Sequence, residues 1–301
     1  MKRSLLFHKS ILLTIILSTI LLQYTNAQEL MDVFGKEEPR TEYTTATFKT
    51  TRIVSGHSIE NPANGVLLFM ISHHFGRLNQ GAYDFFGLDQ ATIRLGLEYG
   101  INDFVSIGIG RSTYQKTIDG FIKAKVLRQS KGIKKMPFSL TALVGSDIFT
   151  LKWQDTERTN YFSSRFSYVY QLMLARKFSE RLSLQLTPTL IHKNLVVEDN
   201  TNDNFVIGFG GRYKITKRLS LNMEYFHNLP GYVADHFENP FSVGFDIETG
   251  GHVFQLHFTN AQPMFDRALI TETSGKWNKG DIFFGFNIGR IFTIKKPKGF
   301  D

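Results

Sequence analysis

Short segments in which apolar side chains alternate with small or polar ones recur along this chain. In one of them the apolar positions are Ala91, Ile93, Leu95, Leu97 and Tyr99, and Thr92, Arg94, Gly96 and Glu98 lie between them. Successive side chains of a β-strand point to opposite faces, so each segment predicts a strand with one apolar and one polar face. Such strands suit a sheet whose two faces meet different solvents.

Between residues 66 and 294 the sequence predicts a succession of these strands. They are 66–75, 90–100, 104–115, 120–129, 136–149, 164–178, 181–193, 204–216, 219–228, 241–249, 251–259 and 282–294. Short polar turns and longer loops join them alternately, as in outer-membrane barrels, where the short turns are periplasmic and the long loops external. We therefore expect an all-β chain that forms a transmembrane antiparallel β-barrel of about 12 strands, with 14 as the alternative.

The segment 47–60 is strand-like but does not fit this alternation. As a thirteenth strand it would leave the N-terminus outside the cell, and single-chain bacterial barrels have even strand counts. Either it lies inside the lumen, or residues before 47 add a fourteenth strand. We favour the first arrangement, with the segment in the lumen or across the periplasmic mouth.

The N-terminus has the features of a secretory signal. Basic residues precede an apolar run at 11–22, and the small residues Thr25 and Ala27 suit a cleavage site before Gln28. The run is too short to span a bilayer comfortably, which takes roughly 20 residues. The expected division is a cleaved signal peptide at 1–27, a periplasmic or lumenal segment at 28–60 and an outer-membrane β-barrel at 61–301.

Composition narrows the function classes. The chain has no cysteine, which excludes a disulfide framework, thiol catalysis and a lipidated N-terminal cysteine. Its net charge is +8, but the basic residues are scattered, so we expect no nucleic-acid partner. The expected partners are outer-membrane lipid, the outer-membrane assembly machinery and, in one alternative below, a periplasmic protein.

Several stretches resemble a known family. They are Ile71–Gly76, Phe86–Ala91, Leu97–Ile101, Gly108–Ser112 and Gly285–Phe292. Together they make the chain similar, from about residue 50 to residue 294, to an uncharacterised β-barrel family of Bacteroidota, domain of unknown function 5777. The resemblance implies an outer-membrane barrel and no particular function. The family usually has a basic residue where this chain has His74.

Ser72, His73 and His74 are the first candidates for catalysis. A nucleophile and its base must meet in space, and neighbours in a strand point to opposite faces. Ser72 and His74 share a face but lie roughly 6–7 Å apart along the strand, which is long for direct proton transfer. We therefore expect no catalytic residue and no enzymatic activity, and histidines that behave as aromatic side chains at the membrane interface.

Three other groups of residues bear on metal or nucleotide binding. His227, Asp235, His236 and Glu238 lie near one predicted external loop and have ligand chemistry that suits a transition metal. The acidic loop with Glu198, Asp199 and Asp203 lacks the glycine and distal glutamate of an EF-hand. The glycine pairs at 108–110 and 208–211 have no third glycine and no following helix, so they do not form a phosphate-binding loop. We expect no metal and no cofactor.

The polar face of the strands is where a pore would carry its selectivity. By parity, the candidate pore-lining residues are Arg94, Glu98, Lys123, Lys125, Arg212, Lys214, Glu224, Asp246 and Glu248. Acidic and basic members nearly balance, so a lumen lined by them would have little preference for either sign of charge. They could equally pair with one another across a closed lumen.

The leading functional expectation is a passive or gated pore for small solutes in the bacterial outer membrane. One alternative is a barrel enzyme acting on outer-membrane lipid, which requires a serine, a histidine and a carboxylate to converge near one rim on the lipid side. The other is a structural or docking barrel for a periplasmic partner, which requires a filled lumen and an ordered N-terminal segment.

Overall fold

The computed structural model describes residues 40–153, 155–196, 200–250 and 252–295. It separates into two compact units, one of which holds residues 40–42 and 131–135 among those described, while the other holds the rest. The predicted signal peptide lies outside the described residues and stays a prediction.

Strands make up most of the described chain. Their bounds are β1 Thr41–Tyr43, β2 Val66–Arg77, β3 Ala91–Gly100, β4 Val105–Ser112, β5 Ile118–Leu127, β6 Ser130–Gly132, β7 Ser139–Ile148, β8 Phe166–Lys177, β9 Leu182–Lys193, β10 Asp203–Lys214, β11 Leu219–Asn228, β12 Phe241–Thr249, β13 His252–Thr259 and β14 Phe283–Thr293. The short strands β1 and β6 form a two-stranded sheet, and the other strands form a closed barrel.

Within the described residues, helical structure is confined to the connections between strands. One α-helix, α1, spans Asp266–Thr271 in the loop between β13 and β14. Single 3-10 turns lie at Leu78–Gln80, Phe85–Gly87, Tyr114–Lys116, Phe162–Arg165 and Trp277–Lys279. Among the described residues, no helix has both the length and the apolar character needed to cross a membrane.

The barrel closes where its last strand pairs with its first. Asn287 of β14 lies opposite Ser72 of β2 in an antiparallel ladder, and the other neighbouring barrel strands are likewise antiparallel. The prediction of twelve strands is confirmed. The alternative of fourteen is wrong, because pairing between β14 and β2 leaves no open edge for residues before 47.

The two faces of the wall follow the predicted alternation. Leu184, Phe205 and Phe209 face outward and are 45%, 41% and 50% exposed. Gln185 and Asp246 face inward and are 4% and 2% exposed. An apolar outer face is what lipid requires, since a charge at mid-bilayer destabilises a barrel by about 2–4 kcal/mol.

Pro188 interrupts one ladder of the wall. It lies opposite Ile207 of β10, but in the ladder between β8 and β9 the paired residues skip from Gln171–Thr189 to Leu174–Leu186. Proline has no N–H to donate, so a strand interior tolerates it only where pairing is broken or bulged. The register is unchanged across the gap, so the strand accommodates Pro188 without a bulge.

Residues 47–60 form a hairpin and not a barrel strand. An isolated bridge joins Arg52 to His57, and the Ile53 N–H donates to the Gly56 carbonyl at 2.9 Å across the tip. At the base, the Glu60 carboxylate accepts from the Thr47 N–H at 2.9 Å. We call this hairpin, residues 47–60, the plug.

Candidate functional site

The plug packs inside the barrel against the inward side chains of the wall. Its buried apolar residues form one cluster with those of β5, β7 and β8. The members are Phe48, Ile53, Val54 and Ile59 of the plug and Phe121, Leu143, Met173 and Ala175 of the wall. Burial of apolar surface is the main driving force for such packing. The lumen therefore has a hydrophobic core where a water-filled pore would have solvent.

The tip of the plug is held by Glu224 of β11. Its carboxylate accepts hydrogen bonds from the N–H groups of Val54 at 3.1 Å, Ser55 at 2.9 Å and Gly56 at 3.0 Å. Successive N–H groups in a turn form a concave site suited to an anion. A Cβ at Gly56 would lie 2.7 Å from Phe226 Cζ, so a side chain at that position would have to displace the Phe226 ring.

The second half of the plug is held by Gln185 of β9 and Lys123 of β5. Gln185 donates to the His57 carbonyl at 2.8 Å and accepts from the Ile59 N–H at 3.0 Å. The Lys123 ammonium donates to the Glu60 carbonyl at 2.6 Å. Wall side chains thus satisfy main-chain groups that would otherwise be buried without partners.

The loop at 260–281 fills the lumen from the opposite end. Its helix α1 contributes to a second apolar cluster. The members are Ala261, Leu269 and Ile270 of the loop and Val169, Ile191, Val206 and Phe226 of the wall. Arg267 of α1 donates to Asp147 of β7 at 2.8 Å and also pairs with Glu272. The helix is therefore fixed to the wall by apolar packing and by an ion-pair network.

The plug and the loop meet at Asp266, the first residue of α1. One carboxylate oxygen lies 3.3 Å from His57 Nε2 and the other 3.9 Å from Arg52 Nη1. Burial disfavours the ionised carboxyl, but the adjacent His57 and the Arg52 guanidinium outweigh burial and hold the pKa of Asp266 below its usual range. Burial and the charge of Arg52 lower the pKa of His57 to about 4.

The plug does not occupy the whole cross-section. A cavity of about 400 Å³ lies beside it, and its lining includes Phe48 and Lys49 of the plug and Met70, Gln255 and Gly289 of the wall. This space is on the side of β2, β13 and β14, across the plug from the wall residues of the apolar cluster. The lumen is obstructed but not solid.

Three of the predicted pore-lining residues lie together in the lumen. Lys123 lies 3.3 Å from the Glu98 carboxylate, and Arg94 pairs with Asp119. Arg94, Glu98 and Lys123 are 3%, 6% and 0% exposed. In this state they form ion pairs buried under the plug, so their role as a pore lining stays a prediction.

The remaining predicted residues face the plug or one another at separate places. Lys125 lies 3.8 Å from Glu60 of the plug, and Glu248 pairs with Lys49 of the plug. Asp246 accepts from Gln255 at 2.8 Å. Arg212 donates to Ser220 at 3.1 Å and to the Ala46 carbonyl at 3.2 Å, and Lys214 is half-buried near the end of β10.

The Ser72-His73-His74 stretch does not assemble a nucleophile and a base. His74 Nε2 lies 2.8 Å from His257 Nε2, and His74 Nδ1 lies 3.0 Å from the Gln262 carbonyl oxygen. His73 stacks on Phe286 with ring centroids 5.0 Å apart. The serine thus has no contact with either histidine ring that would transfer a proton directly.

The candidate metal ligands are also dispersed. His236 packs on Phe237, His227 stacks on Tyr225, and Glu238 pairs with Lys276. In the ranges that the structure covers, no three His, Cys, Asp or Glu side chains are arranged to hold a metal ion. Glu198 and Asp199 lie outside the described residues, and Asp203 lies 2.7 Å from His192 Nδ1.

The sequence did not identify Arg52 and Asp266 as functional residues, or His57 as a contact between the plug and the loop. A signal for a filled lumen was nevertheless present. Leu143, Val169 and Met173 are apolar at positions whose parity points inward, and the structure buries them at 1%, 3% and 0% exposure. Apolar side chains on the face that should meet water indicate that something covers them.

Comparisons with solved structures return outer-membrane proteins. The NanC porin shares 8% identity over 76% of this chain and 100% of that chain, with a TM-score of 0.47. The KdgM porin shares 9% identity over 76% of this chain and 99% of that chain, with a TM-score of 0.43. Omp33 of Acinetobacter baumannii shares 7% identity over 75% of this chain and 97% of that chain, with a TM-score of 0.41.

A search of curated proteins found no match. Residues 48–292 match the family described as membrane bound beta barrel domain (DUF5777), whereas the assignment to Bacteroidota stays a prediction. A membrane-bound, closed, antiparallel barrel of this kind lies in the outer membrane. The chain therefore belongs to the DUF5777 family of membrane-bound β-barrel domains, as the resemblance of its sequence motifs implied.

Proposed function

We propose that this outer-membrane barrel is a gated pore for small solutes, and that the plug is its gate. The observation that carries the proposal is the contact of Asp266 with Arg52 and His57, at which two separate segments close one lumen. A barrel of this strand number has room for a narrow channel only if such segments move. The structure is then the closed state.

The attachment of the plug suits reversible movement. Glu224, Gln185 and Lys123 hold it through hydrogen bonds to its main chain. The bonds of Gln185 contribute about 1 kcal/mol net each and those of the charged Glu224 and Lys123 about 1.5–3 kcal/mol each, and the apolar cluster adds its burial. Undocking breaks none of the strand ladders of the barrel, so it costs less than unfolding the wall.

The pore would have little preference for either sign of charge. Glu98 and Lys123 lie side by side on the wall, as do Arg94 and Asp119. Rings of one sign are what give channels strong charge selectivity. We therefore expect an open pore that conducts both cations and anions and has no enzymatic activity.

The test is conductance of the full-length chain in planar bilayers beside a variant whose plug cannot dock. Gly56→Pro removes an N–H that donates to Glu224, and Ile59→Pro removes the N–H that donates to Gln185. The matched control is Ser55→Ala, since the Ser55 hydroxyl has no hydrogen-bond partner. We expect rare openings in the wild type and the control, and sustained conductance in the double proline variant.

A docking barrel for a periplasmic partner is the second candidate. It is favoured by the end of the barrel at which the chain enters and leaves the plug. Lys177 donates to the Thr45 carbonyl and Asn61 donates to the Phe104 carbonyl, so the plug enters and leaves at the short-turn end. That end faces the periplasm in outer-membrane barrels. If the double proline variant folds but does not conduct, the pore is refuted and the docking barrel takes its place.

A further inference from the structure

The wall recognises the plug mainly through its main chain. Between Ile53 and Glu60, wall side chains bond to N–H and carbonyl groups that every peptide has. Besides Glu224, Gln185 and Lys123, Gln255 donates to the Ile53 carbonyl at 3.2 Å and Asn287 donates to the Val54 carbonyl at 2.7 Å. Recognition of this kind depends little on sequence.

Gln185 makes the most specific of these contacts. One side-chain amide donates to the carbonyl of His57 and accepts from the N–H of Ile59, two residues further along. A carboxamide has one acceptor and two donors. It can therefore bond to a carbonyl and an N–H of one peptide at the same time, as the main chain of a neighbouring strand does. Thr141 adds a bond to the Ile59 carbonyl at 3.3 Å.

The wall also offers places for side chains. Phe121, Leu143 and Met173 form the apolar surface on which Ile53, Val54 and Ile59 pack. Phe226 lies so close to Gly56 that a side chain there would have to displace the Phe226 ring. The site therefore suits a chain with apolar side chains on both sides of a small residue.

From these contacts we propose that the lumen site filled by the plug is a binding site for short peptides folded as a hairpin, and that the plug is its built-in occupant. The proposal rests on the proposed function, because a solute reaches the site only when the plug leaves. Glu224 accepts where a peptide presents N–H groups, and Lys123 donates where it presents carbonyl groups. The solute class of the pore is then oligopeptides.

The test measures binding of a fluorescent synthetic peptide with the sequence of residues 47–60 to the full-length protein in detergent. In the wild type the tethered plug competes at a high effective concentration, so the peptide binds poorly. The Gly56→Pro/Ile59→Pro variant leaves every wall residue unchanged. We expect it to bind the peptide at least about tenfold more tightly than the wild type does.

Two comparisons separate main-chain recognition from side-chain recognition. A peptide N-methylated at the amides of Ser55 and Ile59 loses the donors to Glu224 and Gln185. Gln185→Leu removes the wall's acceptor for the Ile59 N–H and its donor to the His57 carbonyl. Each change should weaken binding at least about tenfold. Gln171→Leu is the matched control, because Gln171 is also buried and its Oε1 has no partner. A peptide that keeps Ile53, Val54, Gly56 and Ile59 and scrambles the other residues should bind within about tenfold of the parent.

Equal binding of the methylated and parent peptides, or equal effects of Gln185→Leu and Gln171→Leu, would overturn the inference. So would a folded double proline variant that conducts ions but binds none of the peptides, and that outcome would leave the pore intact. Peptide binding without conductance would refute the pore and leave the site. Retention of the folded barrel is checked for each variant by its heat-modifiable migration on gels.

Discussion

Asp266 Oδ2 lies 3.3 Å from His57 Nε2, and this contact joins the two segments that obstruct the lumen. Asp266 begins α1 of the 260–281 loop, and His57 lies next to the tip of the plug. Arg52 of the plug lies 3.9 Å from the other oxygen of the same carboxylate, and both segments are also attached to the wall. The contact therefore provides a place where a change at one end of the barrel alters closure at the other.

Replacing Asp266 with alanine should loosen the plug without unfolding the wall. Arg52 and His57 would lose their shared partner, and the Arg52 guanidinium would be left buried with less compensation. We expect a higher open fraction in planar bilayers and an unchanged folded band. Glu272→Ala, which removes a partner of Arg267 within the loop, is the control that should affect the open fraction less.

Acidification should open the pore. The pKa of His57 is about 4 in the docked plug, against 6.5 for an unperturbed histidine. Between these two pH values the freed plug therefore binds a proton at His57 that the docked plug does not. The contribution of neutral His57 to docking is complete only above about pH 6.5 and declines as the pH falls. At pH 5 the docked state loses about 2 kcal/mol.

The measurement for this prediction is open fraction between pH 7 and pH 5. Arg52 and Lys123 also face His57 and oppose its protonation, while Asp266 favours it but keeps its own charge in this range. The wild type should open progressively as the pH falls, whereas His57→Gln should give a flatter profile. A wild-type profile that is flat, or that closes on acidification, contradicts the assigned role of His57.

Removing one charge of the Glu98–Lys123 ion pair should destabilise the barrel more than removing both. Both side chains are buried and lie 3.3 Å apart. Removing one partner of a buried pair costs about 3–5 kcal/mol, because the other charge is left uncompensated. Glu98→Gln should therefore lower the unfolding temperature in detergent, and Glu98→Leu/Lys123→Met should recover part of the loss. Two variants that are equally destabilised would argue against this coupling.

A charged side chain on the outer face of β9 should impair folding into lipid. Leu186 points outward and lies opposite Phe209 and Leu174 on the neighbouring strands. Arginine at this position would meet lipid and cost about 2–4 kcal/mol at mid-bilayer depth. Folding yield into lipid vesicles should drop for Leu186→Arg and stay near the wild type for Leu186→Phe. Similar yields for the two variants would mean that this face does not meet the membrane core.

Most of the wall could be predicted from the sequence, because strand parity is a local property. The alternation in 204–216 fixes which side chains of β10 face lipid before any partner strand is known. Asp266 and α1 could not be found this way. A six-residue helix in a loop has little intrinsic stability, and its burial depends on Val169 and Ile191, which are distant in sequence.

The candidate site was predicted only in part, for a related reason. Lys123 and Glu98 were identified as lumenal from parity alone, but their pairing depends on the shear of the barrel, which the sequence does not display. The position of the plug was expected as one of two arrangements. Ser55-Gly56 is a turn signal, but that Glu224 accepts from the N–H groups of this turn could not be foreseen, because the contact joins residues that are distant in sequence.

In the proposed gated pore, the docked plug is what keeps the lumen closed. Lys49 of the plug pairs with Glu248 of the wall, and the chain has no cysteine of its own. Lys49→Cys/Glu248→Cys can therefore be joined by a bis-methanethiosulfonate linker that dithiothreitol releases. Lys177→Cys/Glu180→Cys, a pair without a plug residue, is the matched control.

Conductance of single barrels at pH 5, before and after addition of dithiothreitol, is the most direct measurement. The linked plug variant should stay closed at a pH where the wild type opens, and dithiothreitol should restore its openings within the same membrane. The linked control should conduct like the wild type throughout. Full conductance while the plug is covalently fixed to the wall would contradict the account.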